Sequence, residues 1–582
     1  MVQHIRRTQF ITTYGPGSIL EGPSGPRIIP RPDIGLFGSG RWNPEDFEIS
    51  HQRMSQGYLQ GARIFRLPSN DELGLDEKAR IYRTSPFPRW SLCTEHWILY
   101  RSEKGCPKCR GRRGRQEAIR FVRACPAGHL DDVDWDYVVH GRSGCSSDWY
   151  HWHSRGSSLR DIEIECPLCR RRRNLGWIYR QKWPCSGRYP EREPLNSSPN
   201  RQGCENSAII IQRQASNLYI PEIITLFTVP PRSTILHNLL SITPVYHAIA
   251  GNPPQSYVEL KGMLENLQQR GLIREDTVQG ILSHSWDGIS EAIQDILQSS
   301  PSSPADLIRE EFHSLIHASI NGYPPVSSRQ FSEVLFQVNL KDIREVRGVG
   351  GRKFRIVPIS RLHTVIVQKG YRRLDPDPYK SELVDISFTD AQGNKWYPGA
   401  ELFGEGIFIM LDEDLQLSGD AANRWEMAYN LSSSSYKVSL FRDANRRDEL
   451  HPVFVWWHTL SHLLIRVLSL DSGYSSASIR ERVYLEVNNR NVRGGIVLYT
   501  VQPGADGTLG GMISLVRRFD RVIRRAYELA QSCSNDPLCI EQYFSPGEIS
   551  GASCYACLLI SETSCEHRNM WLDRHILLDN PP

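Results

Sequence analysis

All fourteen cysteines of this 582-residue chain fall in two groups, Cys93 to Cys204 and Cys533 to Cys565, and the more than 300 residues between the groups contain none. Within the groups, Cys106-x2-Cys109, Cys166-x2-Cys169 and Cys554-x2-Cys557 repeat the short loop that brings two thiolates to one tetrahedral zinc at about 2.3 Å. Each pair has further Cys or His in its neighbourhood. The pattern predicts small metal-clamped modules at fixed places along the chain, where ligation substitutes for a large apolar core.

Three sites follow from the spacing. The first joins Cys93 and His96 to Cys106 and Cys109, two short-loop pairs nine residues apart, as in a zinc ribbon or knuckle. The second is built on Cys166 and Cys169 and closed by two of Cys185, Cys204 and Cys145, with Cys185 and Cys204 preferred. Cys125, in Cys125-Pro-Ala-Gly-His129, either pairs with His129 and His140 or lies in a core. The third uses Cys554, Cys557 and Cys565 with Cys539 or Cys533 from upstream, and Cys533 is expected to be the spare. Four thiolates leave no place for a reacting water, so the third site is expected to be a structural clamp. An iron–sulfur cluster would use similar ligands.

The length calls for several domains. We expect an α+β multidomain protein in five segments: an irregular β-rich start at 1–80, a basic Cys-rich zinc module at 81–215, a helical region at 216–330, a β-rich region at 331–450, and a mixed α/β domain with the four-cysteine site at 451–582. Ile5–Leu20 reads as one or two strands around the turn Tyr14-Gly-Pro-Gly-Ser18. No signal peptide is recognisable at the N-terminus, and Val453–Leu470 is interrupted by His458, His462 and Arg466, which suits a buried amphipathic helix better than a membrane span. A soluble, cytoplasmic protein is expected, and a reducing compartment favours zinc over disulfides.

The net charge of +4 is unevenly spread: residues 80–215 hold 25 Lys plus Arg against 14 Asp plus Glu. The runs Arg110, Arg112, Arg113, Arg115 and Arg170, Arg171, Arg172, Arg173 each begin directly after a CxxC pair. With Trp90, Trp97, Trp135, Trp149, Trp152, Trp177 and Trp183 in the same region, the arginines are candidates for phosphate contact and exposed rings for base stacking. Equally, the tryptophans can fill cores around metal and the arginines form a solvated face.

Catalytic patterns fail on inspection. His458-Thr-Leu-Ser-His462 places two histidines on one helix face, but Thr459 stands where a metalloprotease needs its glutamate base. A packed helix with hydrogen-bonded histidines is expected. Gly348-Val-Gly-Gly-Arg-Lys353 lacks the spacing and the hydroxyl of a phosphate-binding loop, so no ATP hydrolysis is expected. Asp506-Gly-Thr-Leu-Gly-Gly511 reads as a simple turn.

Longer strings carry a resemblance. Arg6-Arg-Thr-Gln-Phe-Ile-Thr-Thr-Tyr-Gly-Pro-Gly-Ser18, Cys125-Pro-Ala-Gly-His-Leu-Asp-Asp132, Ala215-Ser-Asn-Leu-Tyr219, His458-Thr-Leu-Ser-His-Leu-Leu-Ile-Arg466, Gly473-Tyr-Ser-Ser-Ala-Ser-Ile-Arg-Glu-Arg482 and Ser534-Asn-Asp-Pro-Leu-Cys539 together resemble the DrmB family of the DISARM anti-phage defence system. From about His451 to Arg574 the chain is similar to the four-cysteine domain at the end of MrfA-type DNA-repair helicases. The resemblance implies a non-catalytic, zinc-binding accessory subunit that forms a heterodimer with a superfamily 2 helicase, DrmA, and binds phage DNA in that complex. His96 stands where the resemblance leads one to expect a cysteine. The competing readings are a DNA-directed hydrolase or nuclease and a scaffold that contacts only proteins.

Overall fold

The computed structural model describes residues 3–36, 42–109, 116–141, 144–195, 197–230, 234–297, 303–323, 334–375, 380–433, 449–488, 491–502, 510–545 and 548–582. It divides into two compact units, each discontinuous in sequence: unit one comprises Met1–Glu48, Ala62–Ile224 and Val367–Ala400, and unit two the remainder. Residues 81–215 lie wholly in unit one and 451–582 wholly in unit two, whereas 1–80, 216–330 and 331–450 contribute to both.

Unit one is β-rich, and its sheets are built from short strands. A six-stranded antiparallel sheet runs in the order Arg172–Asn174, Ile162–Glu165, Trp149–Ser154, Ile98–Arg101, Trp90–Cys93, Gln116–Ala118. A four-stranded sheet orders Lys182–Cys185, Cys204–Gln212, Phe121–Ala124 and Leu130–Asp132. Its largest apolar cluster packs Trp90, Trp135, Trp152 and Trp183 around Tyr150 and Ile164, and smaller separate clusters serve the rest.

The expectation of strands from Ile5 is corrected at Arg7–Thr12, which is a helix. The Arg6 N–H donates to Gln9 Oε1 at 3.1 Å, which satisfies the backbone at the helix start, and Phe10 and Ile11 give the helix a buried side. The turn and the strand Ile19–Gly22 follow it. Gly17 has φ +89°, and a Cβ there would meet the Tyr371 ring at 2.5 Å, so both conformation and space require glycine.

Three of the sequence strings quoted above meet at one side chain. The fully buried Arg373 donates to the carbonyls of Gly17 at 2.7 Å, Gly128 at 2.9 Å and Leu218 at 2.9 Å. A buried guanidinium needs every N–H satisfied. The loops that carry the resemblance supply those acceptors.

Unit two holds helices between Ile235 and Asn321, a sheet, and the C-terminal elements. Helices Tyr257–Gln269 and Trp286–Leu297 lie in the region expected to be helical, with apolar residues recurring at helical spacing across Val258–Leu267 and Ile289–Leu297. In the sheet, Lys395–Leu411 pairs antiparallel with Asn491–Gln502 from Phe403↔Gln502 to Met410↔Gly495, and Ile479–Asn488 pairs with Asn491–Gln502. The two-residue period of a strand sorts the side chains to two faces. Ile407, Ile409, Ile479, Val483, Ile496 and Leu498 pack on the long helix Pro452–Ser472. Phe408, Met410, Tyr484, Val497 and Tyr499 face Phe312 and Leu315 of helix Pro304–Asn321. A helix on each face makes this an α/β layer arrangement.

Helix Pro452–Ser472 is apolar and long enough to cross a membrane by composition alone, yet it is buried through almost its whole length as the central element of the unit. Burial is all-round rather than on one face, which explains why its apolar residues show no clean stripe. Helix Asp420–Ser433, within a region expected to be β-rich, also packs on this core through Trp425. On the opposite face of the sheet a buried ionic cluster supports Arg482: its guanidinium reaches Glu311 at 2.8 Å, Glu566 at 2.7 Å and the Thr225 carbonyl at 2.7 Å.

Candidate metal centres

In unit one the first cluster forms where strands Trp90–Cys93 and Ile98–Arg101 meet, with Cys93 opposite Ile98. The tight connection needs a left-handed residue, Trp97 at φ 51°, and presents Cys93 and His96 on one side. The second knuckle, opened by Gly105 at φ 71°, brings Cys106 and Cys109 to them. The four ligating atoms lie within 4.8 Å of one another. Cys93 and Cys109 Sγ are 3.7 Å apart, and His96 Nδ1 stands 3.3 to 3.7 Å from the three sulfurs. Zinc–sulfur bonds of about 2.3 Å give tetrahedral edges of about 3.7 Å between sulfurs and about 3.5 Å from sulfur to nitrogen. A disulfide, at about 2.0 Å, does not fit.

The structure does not bring Cys185 and Cys204 to Cys166 and Cys169. Those two are joined instead by Cys145 and His140. Helix Trp135–His140 ends on its ligand, and Nδ1 of His140 sits 3.0 Å from the Asp136 carbonyl, which fixes the ring as an outer-shell partner does. Cys145 and Cys166 Sγ are 3.8 Å apart. Cys185 and Cys204, paired across adjacent strands at a bulge after Pro184, meet Cys125 and His129. Among the described residues, unit one therefore contains three Cys3His clusters where two sites were expected. Cys145 is one of the closing ligands that the sequence offers for Cys166 and Cys169, and Cys125 with His129 is one of its readings; spacing does not place His140 in the former group or Cys185 and Cys204 in the latter, because strand register rather than sequence distance brings them there.

In unit two the third expected site gathers Cys533, Cys539, Cys554 and Cys557; Cys533, expected to be spare, is a member and Cys565 is not. The sulfur separations are 3.4 Å for Cys533–Cys554 and 3.7 Å for both Cys539–Cys557 and Cys554–Cys557. Backbone N–H groups of Asn535 and Cys554 donate to Cys533 and Cys557 sulfur at 3.4 and 3.3 Å. The buried Arg574 holds the intervening loop by pairing with Asp536 at 2.5 Å.

Single thiols in these clusters are drawn toward the thiolate. The hydrogen bond from Cys125, against the opposing effect of burial, holds Cys185 down at about 4. Burial opposes ionisation of Cys554 and Cys93, but hydrogen bonds from Cys533 and local N–H groups bring Cys554 to about 6, and those from His96 bring Cys93 to about 7. Thiolates are the form a metal takes.

Cys565 lies with His458, His462 and Glu481. The residue between the histidines, Thr459, accepts the Asp573 N–H at 3.0 Å and offers no base. Burial pushes the His458 imidazole down to about 4.

Of the two arginine runs, Arg110, Arg112, Arg113 and Arg115 lie outside the described residues. In the other, Arg170 and Arg172 pair with Glu165 at 3.3 and 2.9 Å, Arg171 donates to the His140 carbonyl at 2.6 Å, and Arg173 stacks over Trp177 at 5.3 Å. Of the seven tryptophans named from sequence, Trp90, Trp135, Trp152 and Trp183 are buried, whereas Trp97 and Trp177 are 49% and 46% exposed.

Residues 6–220 match a family described as a domain of unknown function, DUF8724, and residues 460–558 match the MrfA Zn-binding domain. The latter range contains all four cysteines of the unit-two cluster, and that cluster fits Zn2+. A solved structure described as the DUF1998 helicase MrfA bound to DNA is matched over 40% of this chain and 25% of that one, with 10% identity and a TM-score of 0.17. Over 85% of its length, and 88% of the relative's, the chain is 29% identical to the DISARM protein DrmB of Bacillus paralicheniformis, so the resemblance read from short strings extends across most of the molecule.

Proposed function

We propose that this chain is a zinc-stabilised, non-catalytic accessory subunit in bacterial anti-phage defence, which docks on a DrmA-like superfamily 2 helicase and helps it hold DNA. The observation that carries the reading is the likeness to the DISARM protein DrmB over 85% of the chain. The clusters support it: each converges four protein ligands, which is the closed set of a structural site and leaves no coordination position for a substrate. All four would hold Zn2+, whose role is to fix loops. The C-terminal match adds a Zn-binding domain named for MrfA.

DNA contact rests on the basic excess of residues 80–215. Arg110, Arg112, Arg113 and Arg115 are the stronger candidates, because Arg170 and Arg172 already share Glu165. Charge reversal at Arg110, Arg112 and Arg113 should lower DNA affinity and reduce the salt slope by up to about 0.9 for each phosphate no longer neutralised.

The test is recovery of the tagged chain from nuclease-treated native lysate, followed by assay of the co-purified motor with and without it. A helicase in near-equal amount, with ATPase or DNA affinity that falls when this chain is removed, is the expected result. A motor indifferent to its presence would overturn the reading.

A further inference from the structure

Unit two holds a second group of ligating side chains that the four cysteine clusters do not use. His458 and His462 lie one turn apart on helix Pro452–Ser472, Glu481 points inward from strand Ile479–Asn488, and Cys565 comes from the loop beyond. Their ligating atoms all lie within 4.8 Å of one another, and all four residues are buried, three of them completely. His458 and Cys565 lie outside residues 460–558, the range matched to the MrfA Zn-binding domain.

As a purely organic network with neutral rings, this group leaves acceptors facing one another. Nδ1 of His458 faces the Trp571 carbonyl at 3.3 Å, and Nδ1 of His462 faces the Leu558 carbonyl at 2.9 Å. A carbonyl only accepts, so each Nδ1 must carry the ring proton. Each Nε2 then presents a lone pair, and both are aimed at the same acceptor, Glu481 Oε1, at 2.8 and 3.1 Å. Protonating both rings would satisfy the geometry but would bury two adjacent imidazoliums with one carboxylate, at a large desolvation cost. One divalent cation among the two Nε2 atoms, Oε1 and the Cys565 sulfur, 3.3 Å from His458 Nε2, satisfies every lone pair at once.

The surroundings are those of a ligand set. Both rings are oriented through Nδ1 by backbone carbonyls, the usual outer shell of a metal-binding histidine. Ser461 Oγ donates to the other carboxylate oxygen of Glu481, leaving Oε1 for the centre. The Asn569 N–H donates to Cys565 sulfur at 3.3 Å.

We infer that His458, His462, Glu481 and Cys565 form a fifth metal site, for a divalent cation of the zinc class, buried in the core of unit two. Two imidazoles, one thiolate and one carboxylate suit Zn2+ rather than Mg2+ or Ca2+, which take oxygen sets. With four protein ligands and complete burial the site is structural: it ties the central helix to the neighbouring strand and to the loop after the four-cysteine cluster.

The test uses the full-length protein, equilibrated with Zn2+ and freed of excess. Metal analysis should find five zinc per chain in the parent and four in both Glu481→Gln and Cys565→Ser. X-ray absorption at the zinc edge of the parent serves where a variant fails to fold. The fifth site raises nitrogen and oxygen ligands from three in sixteen to six in twenty. A parent with three in sixteen, or folded variants that keep the parent's metal content, would overturn the inference.

Discussion

The two units hold clusters of similar ligands in opposite settings. In unit one the strands are short, the apolar clusters are several and separate, and each Cys3His group sits at a strand end or knuckle. In unit two one large apolar cluster runs from Phe354 to Leu577 and includes Cys539 and Cys557 themselves. The difference teaches what the metal is for in each place. On the proposed function, ligation would supply much of the folding free energy where apolar burial is fragmented, and fix the position of loops where the core already exists.

The largest effect should separate the units directly. Replacing Cys106 and Cys109 together by Ser removes half a ligand set; a structural zinc in small modules is worth about 10–16 kcal/mol at neutral pH. Residues 90–118 should then lose amide-exchange protection. The same change at Cys554 and Cys557 should expose 533–557 while helix Pro452–Ser472 stays protected. Next come the buried arginines. Arg482→Met leaves Glu311 without its buried counter-charge in unit two, and Arg188→Met does the same to Glu193 in unit one. Each should cost about 3–5 kcal/mol by denaturant titration; a much smaller loss for Arg188→Met would mean that unit one is too loosely packed to enforce the penalty.

Within unit one, Trp183→Ala should cost about 3–5 kcal/mol, as for a large buried ring. Trp177→Ala, at an exposed ring, should stay within about 0.5 kcal/mol. A loss of DNA affinity on Trp177→Ala with unchanged stability would support a stacking role. A further effect concerns pH. Burial, then the neighbouring Asp131, raises Asp132 to about 6. Its stabilising contribution is complete below the ordinary carboxylate value of about 4 and is lost as pH rises through 6. Asp132→Asn removes that loss, so the stability of the variant relative to the parent should rise between about pH 4 and 6 and level off above about pH 7.

What could be read from the sequence follows the range of the interactions. The first cluster is legible because both its pairs are local, and the same holds for the CxxC halves of two others. The partners of Cys166 and Cys169, and the separation of Cys565 from Cys554, are set by strand order and by the packing of a buried helix, which spacing does not encode. The helix Arg7–Thr12 is hidden because an arginine rather than Ser, Thr, Asp or Asn stands at its cap. The pair His458 and His462 is visible as a helix face. Its other ligands, Glu481 and Cys565, lie 19 and 103 residues beyond His462 and meet it only through the fold.

The most direct test of the contrast between the units is hydrogen exchange on the full chain before and after treatment with a chelator strong enough to strip thiolate sites. The account predicts that peptides across 90–212 become fully exchanging, while those across 453–468 and 496–501 keep most of their protection. Equal loss in both units, or retention of protection across 90–212 after complete metal removal, would contradict it.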